Sequence, residues 1–282
     1  MQDIIEFTES LGINLEIGQR IFLKLAYGLE FDDSDIYPVE DPFKFYEPRQ
    51  MTEKQLFKHL SEDNIKFGEK DRRFVSAVCG RRSGKTLLGA LAMGYELKKF
   101  LKNPNPCESN KMVNGTKFYF LFLAPTQDSA AHGLDIFNTL IARDSFLNSR
   151  ICFKTIYEIS FKTDEDIEKG RDGTVIVMSG SFGSSSTRGK NVYMAIAEEI
   201  EFGFDFKKTF QSVSPSLFGF KENLSFTFSS KANYSNPMTS YCKPRFIFNG
   251  YTTLMNPRCL QKSDIKHMIQ NDCCNFIREF CV

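Results

Sequence analysis

Two short stretches of the 282-residue chain carry side chains suited to handling a nucleoside triphosphate. The first, FVSAVCGRRSGKTLLGA at residues 74–90, is an apolar β-type run, a glycine-bearing turn and the opening of a helical pattern. Holding a phosphate needs backbone N–H groups turned inward by a tight loop and a helix N-terminus that faces them. In such a setting Lys85 reaches the β- and γ-phosphates and the Thr86 hydroxyl takes one position on Mg²⁺. Set on the spacing G-x-x-x-x-G-K-[ST], the first glycine position falls on Cys79, and Gly80 comes one residue later. A displaced glycine still supplies permissive backbone where the turn begins. The loop therefore comprises Cys79, Gly80, Arg81, Arg82, Ser83, Gly84, Lys85 and Thr86. Its two arginines concentrate more positive charge than a phosphate loop requires, so one of them could touch the γ-phosphate. A solvated or salt-bridged Arg82, and a Gly-Lys-Thr turn that binds nothing, are the plain alternatives.

The second stretch, VYMAIAEEIEF at residues 192–202, is an apolar strand pattern ending in Glu198-Glu199. Hydrolysis of a triphosphate needs one carboxylate for the metal and another to orient or deprotonate water. Neighbouring carboxylates at a strand's end project in different directions, so Glu198 is assigned to Mg²⁺ and Glu199 to catalysis. Glu198 is one methylene longer than the aspartate usual at the metal position. Alone, the pair would read as an exposed acidic turn continued by Glu201; with the upstream Gly-Lys-Thr it reads as hydrolytic.

These residues need a scaffold that brings a strand-loop-helix unit beside a second strand. From Phe74 onward, short β-rich apolar runs alternate with longer stretches of helical period, the pattern of a parallel sheet covered by helices. Strands are expected at 73–79, 117–124, 173–178, 191–197, 224–230 and 244–250, and helices at about 14–28, 85–101, 127–142 and 263–280. The acidic, proline-bearing segment 31–50 and the Pro/Asn/Gly-rich segment 103–116 read as irregular connections. The expected class is α/β: a P-loop NTPase with a mostly parallel central sheet flanked by helices, an N-terminal helical lead-in and a C-terminal lid or linker helix. The expected division is a lead-in at 1–60, an ATPase core at 61–250 and a lid at 251–282.

Composition narrows the partners. Lys plus Arg (36) nearly balances Asp plus Glu (35), so no global positive field would hold nucleic acid and any DNA contact is local and transient. The basic run KKFLK at 98–102 and Lys207-Lys208 are explained as well by solvated helix faces. The eight cysteines include no C-x-x-C pair and the chain has three histidines, which argues against zinc and for reduced thiols in a cytosolic compartment. No signal-peptide pattern opens the chain and no apolar run reaches membrane-span length, so no membrane partner is expected.

Taken in order, four segments resemble the ATPase domain of the large terminase subunit, the DNA-packaging motor of tailed bacteriophages and related viruses. CGRRSGKT resembles its Walker A, FLFLAPTQDSA (120–130) its next strand and helix, SSSTRGKNVYMAIAEEIEF (184–202) its Walker B, and LSFTFSSKANYSNPM (224–238) its coupling motif. The stretch LMNPRCLQKSDIKHMIQNDCCNFIREF resembles the final helix leading to the linker. The likeness implies that Gln19 recognises adenine, where an amide offers both a donor and an acceptor; an ordinary polar residue on an amphipathic helix is the alternative. It implies that Arg81 senses the γ-phosphate and that Arg188 reaches a neighbouring subunit's ATP as an arginine finger, unless Arg188 pins its own loop. Ser229 and Ser230 would sense phosphate and pass its loss to a lid of roughly the last 40 residues; a cap or turn is the alternative for that hydroxyl pair.

The same resemblance implies ATP and Mg²⁺ as ligands. The implied partners are duplex DNA gripped without sequence preference, the viral portal protein and the small terminase subunit. It implies a homo-oligomeric ring when docked, with a monomer in isolation an allowed state, in the host cytoplasm and transiently at the portal vertex of the procapsid. The family's nuclease domain is not expected in this chain, nor DNA cleavage. A helicase-like translocase would need a second motor lobe for which the residues after Glu199 leave little room. A nucleotide-binding adaptor without turnover remains the non-enzymatic alternative, motivated by Cys79 and Glu198.

Overall fold

The structure is a computed structural model that describes residues 2–39, 49–68, 73–79, 82–184, 187–200, 205–220, 223–229 and 244–250. The chain opens with α1 (Ile4–Ser10), α2 (Ile17–Tyr27), β1 (Tyr37–Val39), β2 (Arg49–Met51), α3 (Glu53–Asp63) and β3 (Ile65–Phe67). There follow β4 (Phe74–Cys79), α4 (Lys85–Leu101), α5 (Pro106–Ser109), β5 (Phe118–Ala124), α6 (Gln127–Ile141), α7 (Ser145–Ser149), β6 (Ile151–Lys154) and β7 (Glu158–Phe161). The remaining described elements are α8 (Asp164–Glu168), β8 (Val175–Ser181), β9 (Asn191–Ala197), α9 (Phe206–Gly219), β10 (Ser225–Ser229) and β11 (Phe246–Gly250).

Among the described residues, nine strands form one sheet in the order β3-β11-β4-β10-β9-β5-β8-β7-β6. The six from β11 to β8 run parallel; β3 at one edge and β7 beside β8 run against them, and β6 pairs antiparallel with β7 at the other edge. The expected α/β class with a mostly parallel, helix-flanked sheet is what the chain adopts. Period-two alternation sorts the strands' side chains into two cores. Val75, Ala77, Phe118, Phe120, Phe122, Met194 and Ile196 pack on the side of α1, α2, α4 and α6. Phe74, Val78, Leu121, Leu123, Ala195 and Ala197 pack on the side of α9.

The expected helix at 85–101 and strand at 191–197 have those bounds, and the other described central strands fall within the expected ranges or within three residues of them. Several elements were not anticipated: α1, α3, the short helices α5, α7 and α8, the two-stranded ribbon β1–β2, the strands β3, β6 and β7, and α9. The one-turn α5 and all of the ribbon but Met51 lie inside segments read as irregular. The expected helix at 263–280 lies outside the described residues.

Two contacts seat the helices that carry site residues. Phe22 on α2 sits among Phe226 and Phe228 of β10 and Phe246 and Phe248 of β11, with ring centroids 5.6–6.1 Å apart. This aromatic anchor, buried completely, holds the helix beside β4 and explains part of the chain's high phenylalanine content. On α4, Gly89 lets the helix approach β9: a Cβ there would stand 3.0 Å from Ile196 Cγ2. Glu53 ties the lead-in together, accepting from Lys24 Nζ, from Arg20 Nε at 3.0 Å and from the Asp32 N–H at 2.9 Å.

Candidate nucleotide and metal site

The C-terminal ends of β4, β10 and β9 lie together at one edge of the sheet, where Cys79, Ser229 and Glu198 come next to one another in strand order. Ligands of open α/β sheets bind at such carboxyl ends. The helix α4 begins there, immediately after Gly84, whose φ of 85° is left-handed and suited to glycine. Helix geometry leaves the first-turn N–H groups of α4 without intrahelical acceptors, and they face the loop. Gly80 and Arg81 lie outside the described residues, as does Ser230. Arg82, exposed, also takes a left-handed φ of 63°. Lys85 folds back over the loop, its Nζ donating to the Cys79 carbonyl at 2.8 Å.

Thr86 and Glu198, 112 positions apart, meet directly: Thr86 Oγ1 donates to Glu198 Oε2 at 3.0 Å. Thr86 and Gly89 are one turn apart on α4, so the close approach permitted by Gly89 also brings the Thr86 hydroxyl to the end of β9. The Glu198 backbone is fixed by its N–H donating to the Leu123 carbonyl at 2.8 Å, one residue past the strand. Burial pushes the Glu198 carboxyl up to about 7 and the charge of Glu199 adds to the rise, against the opposing hydrogen bond from Thr86 and the charge of Lys85. Glu198 Oε1 is buried and has no hydrogen-bond partner among the described residues, and neither has the buried Ser83 Oγ.

A buried carboxylate oxygen with an unused lone pair, next to a threonine hydroxyl at a helix N-terminus, fits a hard divalent cation that takes oxygen ligands. Glu199 departs from Glu198 at once. Its φ of 51° is left-handed, its side chain is exposed, and Ile200 turns back into the core. The two carboxylates thus face different environments.

Gln19 stands against the loop rather than out in the crevice. Its Nε2 donates to the Ser83 carbonyl at 3.0 Å and its Oε1 accepts from the Glu16 N–H at 3.1 Å, so both ends of the amide have protein partners. Ser229 is fully buried at the end of β10, opposite Val78. Arg188 is exposed, three residues before β9 begins and toward the end of that strand opposite Glu198. The structure therefore brings together Gln19, Ser83, Gly84, Lys85, Thr86 and Glu198, and sets Arg188 apart. Sequence inspection missed Gly89, and it missed the Ser76–Thr227 hydroxyl pair, 2.5 Å apart, that links β4 to β10 beneath the site. Small and hydroxyl residues within otherwise apolar runs were the available signal.

The strand order and the strand-turn-helix unit define a mixed α/β protein with a mostly parallel, helix-flanked central sheet. No protein-family model matches the chain, and no curated protein matches it. Among solved structures the chain is similar to the large terminase ATPase domain of Thermus phage P74-26, with 14% identity over 74% of this chain and 87% of that one and a TM-score of 0.49. It is similar also to the large terminase of bacteriophage HK97, with 15% identity over 74% of this chain and 46% of that one and a TM-score of 0.48. A third is the large terminase of the thermophilic bacteriophage D6E in complex with ADP, with 10% identity over 70% and 44% of the two chains and a TM-score of 0.42. Among the described residues no helix is long and apolar enough to cross a membrane.

Proposed function

We propose that the chain is the ATPase motor of a large terminase, hydrolysing ATP with Mg²⁺ to drive duplex DNA into a viral procapsid. The observation that carries the catalytic part is the Thr86–Glu198 contact at the mouth of α4, beside a buried carboxylate oxygen that has no partner among the described residues. The order of the resembling sequence segments supports the packaging part. A Mg²⁺ ion held by Thr86 and Glu198 would neutralise phosphate charge as the bond to the γ-phosphate breaks.

The chain's own residues do the rest. The first-turn N–H groups of α4 and the inward backbone of the loop bind phosphate oxygens. Lys85 Nζ exchanges the Cys79 carbonyl for a phosphate oxygen, which frees the loop to tighten on the ligand. Glu199, exposed and therefore hydrated, orients a water for in-line attack and accepts its proton. Gln19 holds the Ser83 carbonyl and so fixes the loop; reading adenine would require its amide to exchange partners. Arg188 lies too far along β9 to serve its own chain's nucleotide, which favours a role on a neighbouring copy in a ring docked on the portal. Arg81, Arg82, Ser229 and Ser230 complete the proposed phosphate surroundings. Duplex DNA, the portal and the small subunit are the proposed partners.

Steady-state ATP turnover with and without Mg²⁺ tests the reading. Lys85→Ala should abolish turnover and weaken nucleotide binding, whereas Glu199→Gln should lower turnover at least about a hundredfold and leave binding intact. Tight nucleotide binding without turnover by the unmodified protein would sink the motor and favour an adaptor.

A further inference from the structure

The sheet has an uneven joint at the strand that carries the metal carboxylate. β10 pairs with β4 along its whole length, Ser225 opposite Phe74 through Ser229 opposite Val78. β9 pairs with β5 from Asn191 to Ala197. Between β10 and β9, by contrast, the described ladder consists of Phe226 opposite Ile196 and Thr227 opposite Ala197, at the site end only. The sheet is thus two well-paired halves. The half with β3, β11, β4 and β10 carries the phosphate loop; the half with β9, β5, β8, β7 and β6 carries Glu198.

Side chains replace the ladder below those two pairs. The Ala195 N–H donates to Ser225 Oγ at 3.1 Å, and Asn223 Nδ2 donates to the Tyr193 carbonyl at 2.8 Å. A bulge at the same level, where β5 residues Tyr119 and Phe120 oppose Val192 and Met194, gives β9 one extra residue. Asn223 also donates to the Leu217 carbonyl at the end of α9 at 2.8 Å and accepts from Arg73 Nη1 at 3.3 Å, just ahead of β4. Arg73 reaches the Leu217 and Phe218 carbonyls as well, each at 3.3 Å, where a cation suits a helix C-terminus. Asn223 and Ser225 are both at least nine-tenths buried. Above them a cavity of about 10 Å³, lined by Ala195, Ala197, Thr209, Val213 and Thr227, lies under α9 along the joint.

We propose that Asn223 and Ser225 are positioning residues that set β9 laterally against the loop-bearing half of the sheet and thereby hold Glu198 at Thr86. The proposal rests on the ATPase reading for its kinetic consequence but not for its structural one. Backbone ladders fix spacing by many repeated bonds, whereas the strand-to-strand part of this joint consists, among the described residues, of two residue pairs and the bonds of two side chains. A buried N–H or carbonyl that loses its partner is driven to find another, and the nearest relief is a shift of β9. The loop and Lys85 follow β4 in the other half, and α4 lies across the joint, with Gly89 near both Ile196 of β9 and Phe228 of β10, so nucleotide held by the loop should survive a shift of β9 that displaces Glu198. Misplacement of a reacting group by about 1 Å can lower a rate about a hundredfold.

The test uses the full chain with Ser225→Ala, which removes the acceptor of the Ala195 N–H, and Ser225→Thr, which keeps it. Asn223→Asp is the third variant: it keeps the Arg73 contact and loses both donated bonds. Turnover, affinity for a fluorescent ADP and amide hydrogen exchange of segments 191–198 and 74–90 are measured. The expected result is kcat lowered at least about tenfold in Ser225→Ala and Asn223→Asp with ADP affinity within about twofold, and kcat restored in Ser225→Thr. Exchange should quicken in 191–198 and not in 74–90. Unchanged kcat, or kcat, affinity and melting temperature falling together with no rescue by Ser225→Thr, overturns the proposal. If Ser225→Ala does not fold, Asn223→Asp decides alone. If the unmodified protein turns over no ATP, the motor reading fails and exchange decides: faster exchange confined to 191–198 supports the joint, and unchanged exchange refutes it.

Discussion

Replacing Glu198 by Gln should stabilise the ligand-free protein at alkaline pH while removing the carboxylate proposed to hold the metal. Burial raises the carboxyl from 4.5 to about 7. Below 4.5 it is neutral whether the chain is folded or not, and no penalty arises. As pH rises from there to about 7, the unfolded chain loses its proton and the folded one keeps it, so stability falls by about 1.4 kcal/mol per pH unit. Above about 7 both states are ionised, and the accumulated penalty is constant at about 3 kcal/mol. A glutamine cannot ionise, and its amide oxygen can still accept from Thr86, so the variant should lack this pH dependence.

Urea and thermal unfolding in a metal chelator between pH 4.5 and 8 should show the two proteins converging at the acid end. The variant should lead by about 3 kcal/mol at pH 8, on the order of 5–10 °C in melting temperature. With Mg²⁺ and nucleotide in excess the order should invert, because only the natural protein gains the binding free energy of the loaded site. A variant less stable than the natural protein at pH 8, or a difference independent of pH, would refute the account of Glu198 as a buried carboxylate waiting for a cation.

Three further substitutions probe the scaffold. Glu53→Gln leaves the Lys24 and Arg20 cations in a buried site without their carboxylate, and urea denaturation at pH 7 should show a loss of about 3 kcal/mol. Although burial raises the Glu53 carboxyl, the hydrogen bonds from Lys24, Asp32 and Arg20 outweigh it and hold the group below its usual range; its contribution is present at neutral pH and fades as pH falls through the carboxylate range, where variant and natural protein should converge. Gly84→Ala adds a Cβ 2.7 Å from Gln19 Nε2 at a left-handed φ; calorimetry should show a loss of about 1–2 kcal/mol from backbone strain alone, and fluorescent-nucleotide titration should show weaker binding, with Gln19→Ala relieving only the steric part. Phe22→Ala empties the anchor of α2 and should destabilise by about 3–5 kcal/mol, whereas Phe153→Ala, at an exposed position, should stay within about 0.5 kcal/mol.

The central strands and α4 were legible because burial on both faces writes strands as unbroken apolar runs and because Gly84 marks where the helix opens. The edge strands β6 and β7 were not, since each has only four residues and β6 is largely exposed. The capping boxes of α1 and α3, Asp3 with Glu6 and Thr52 with Gln55, were readable signals that the apolar pattern alone did not raise. For α9 the local chemistry argues the other way: Pro215 sits inside it and Ser212, Ser214 and Ser216 are weak helix formers. Tertiary packing of Phe206, Val213 and Leu217 over β9 decides its conformation.

At the site, residue types were legible and relations between segments were not. Glycine, lysine and threonine at fixed spacing mark the candidate phosphate loop, because the chemistry it would do is local. The meeting of Thr86 with Glu198 depends on β10 entering the sheet between β4 and β9, and β10 follows both in the chain. No spacing within either motif contains that strand order. Nor does the type of Gln19 disclose that both ends of its amide are already engaged. The residues that join the two halves of the sheet are the least legible of all. An asparagine and a serine at the start of a strand look like ordinary loop-to-strand punctuation, and the role proposed for them depends on the described β10–β9 ladder stopping short beside them.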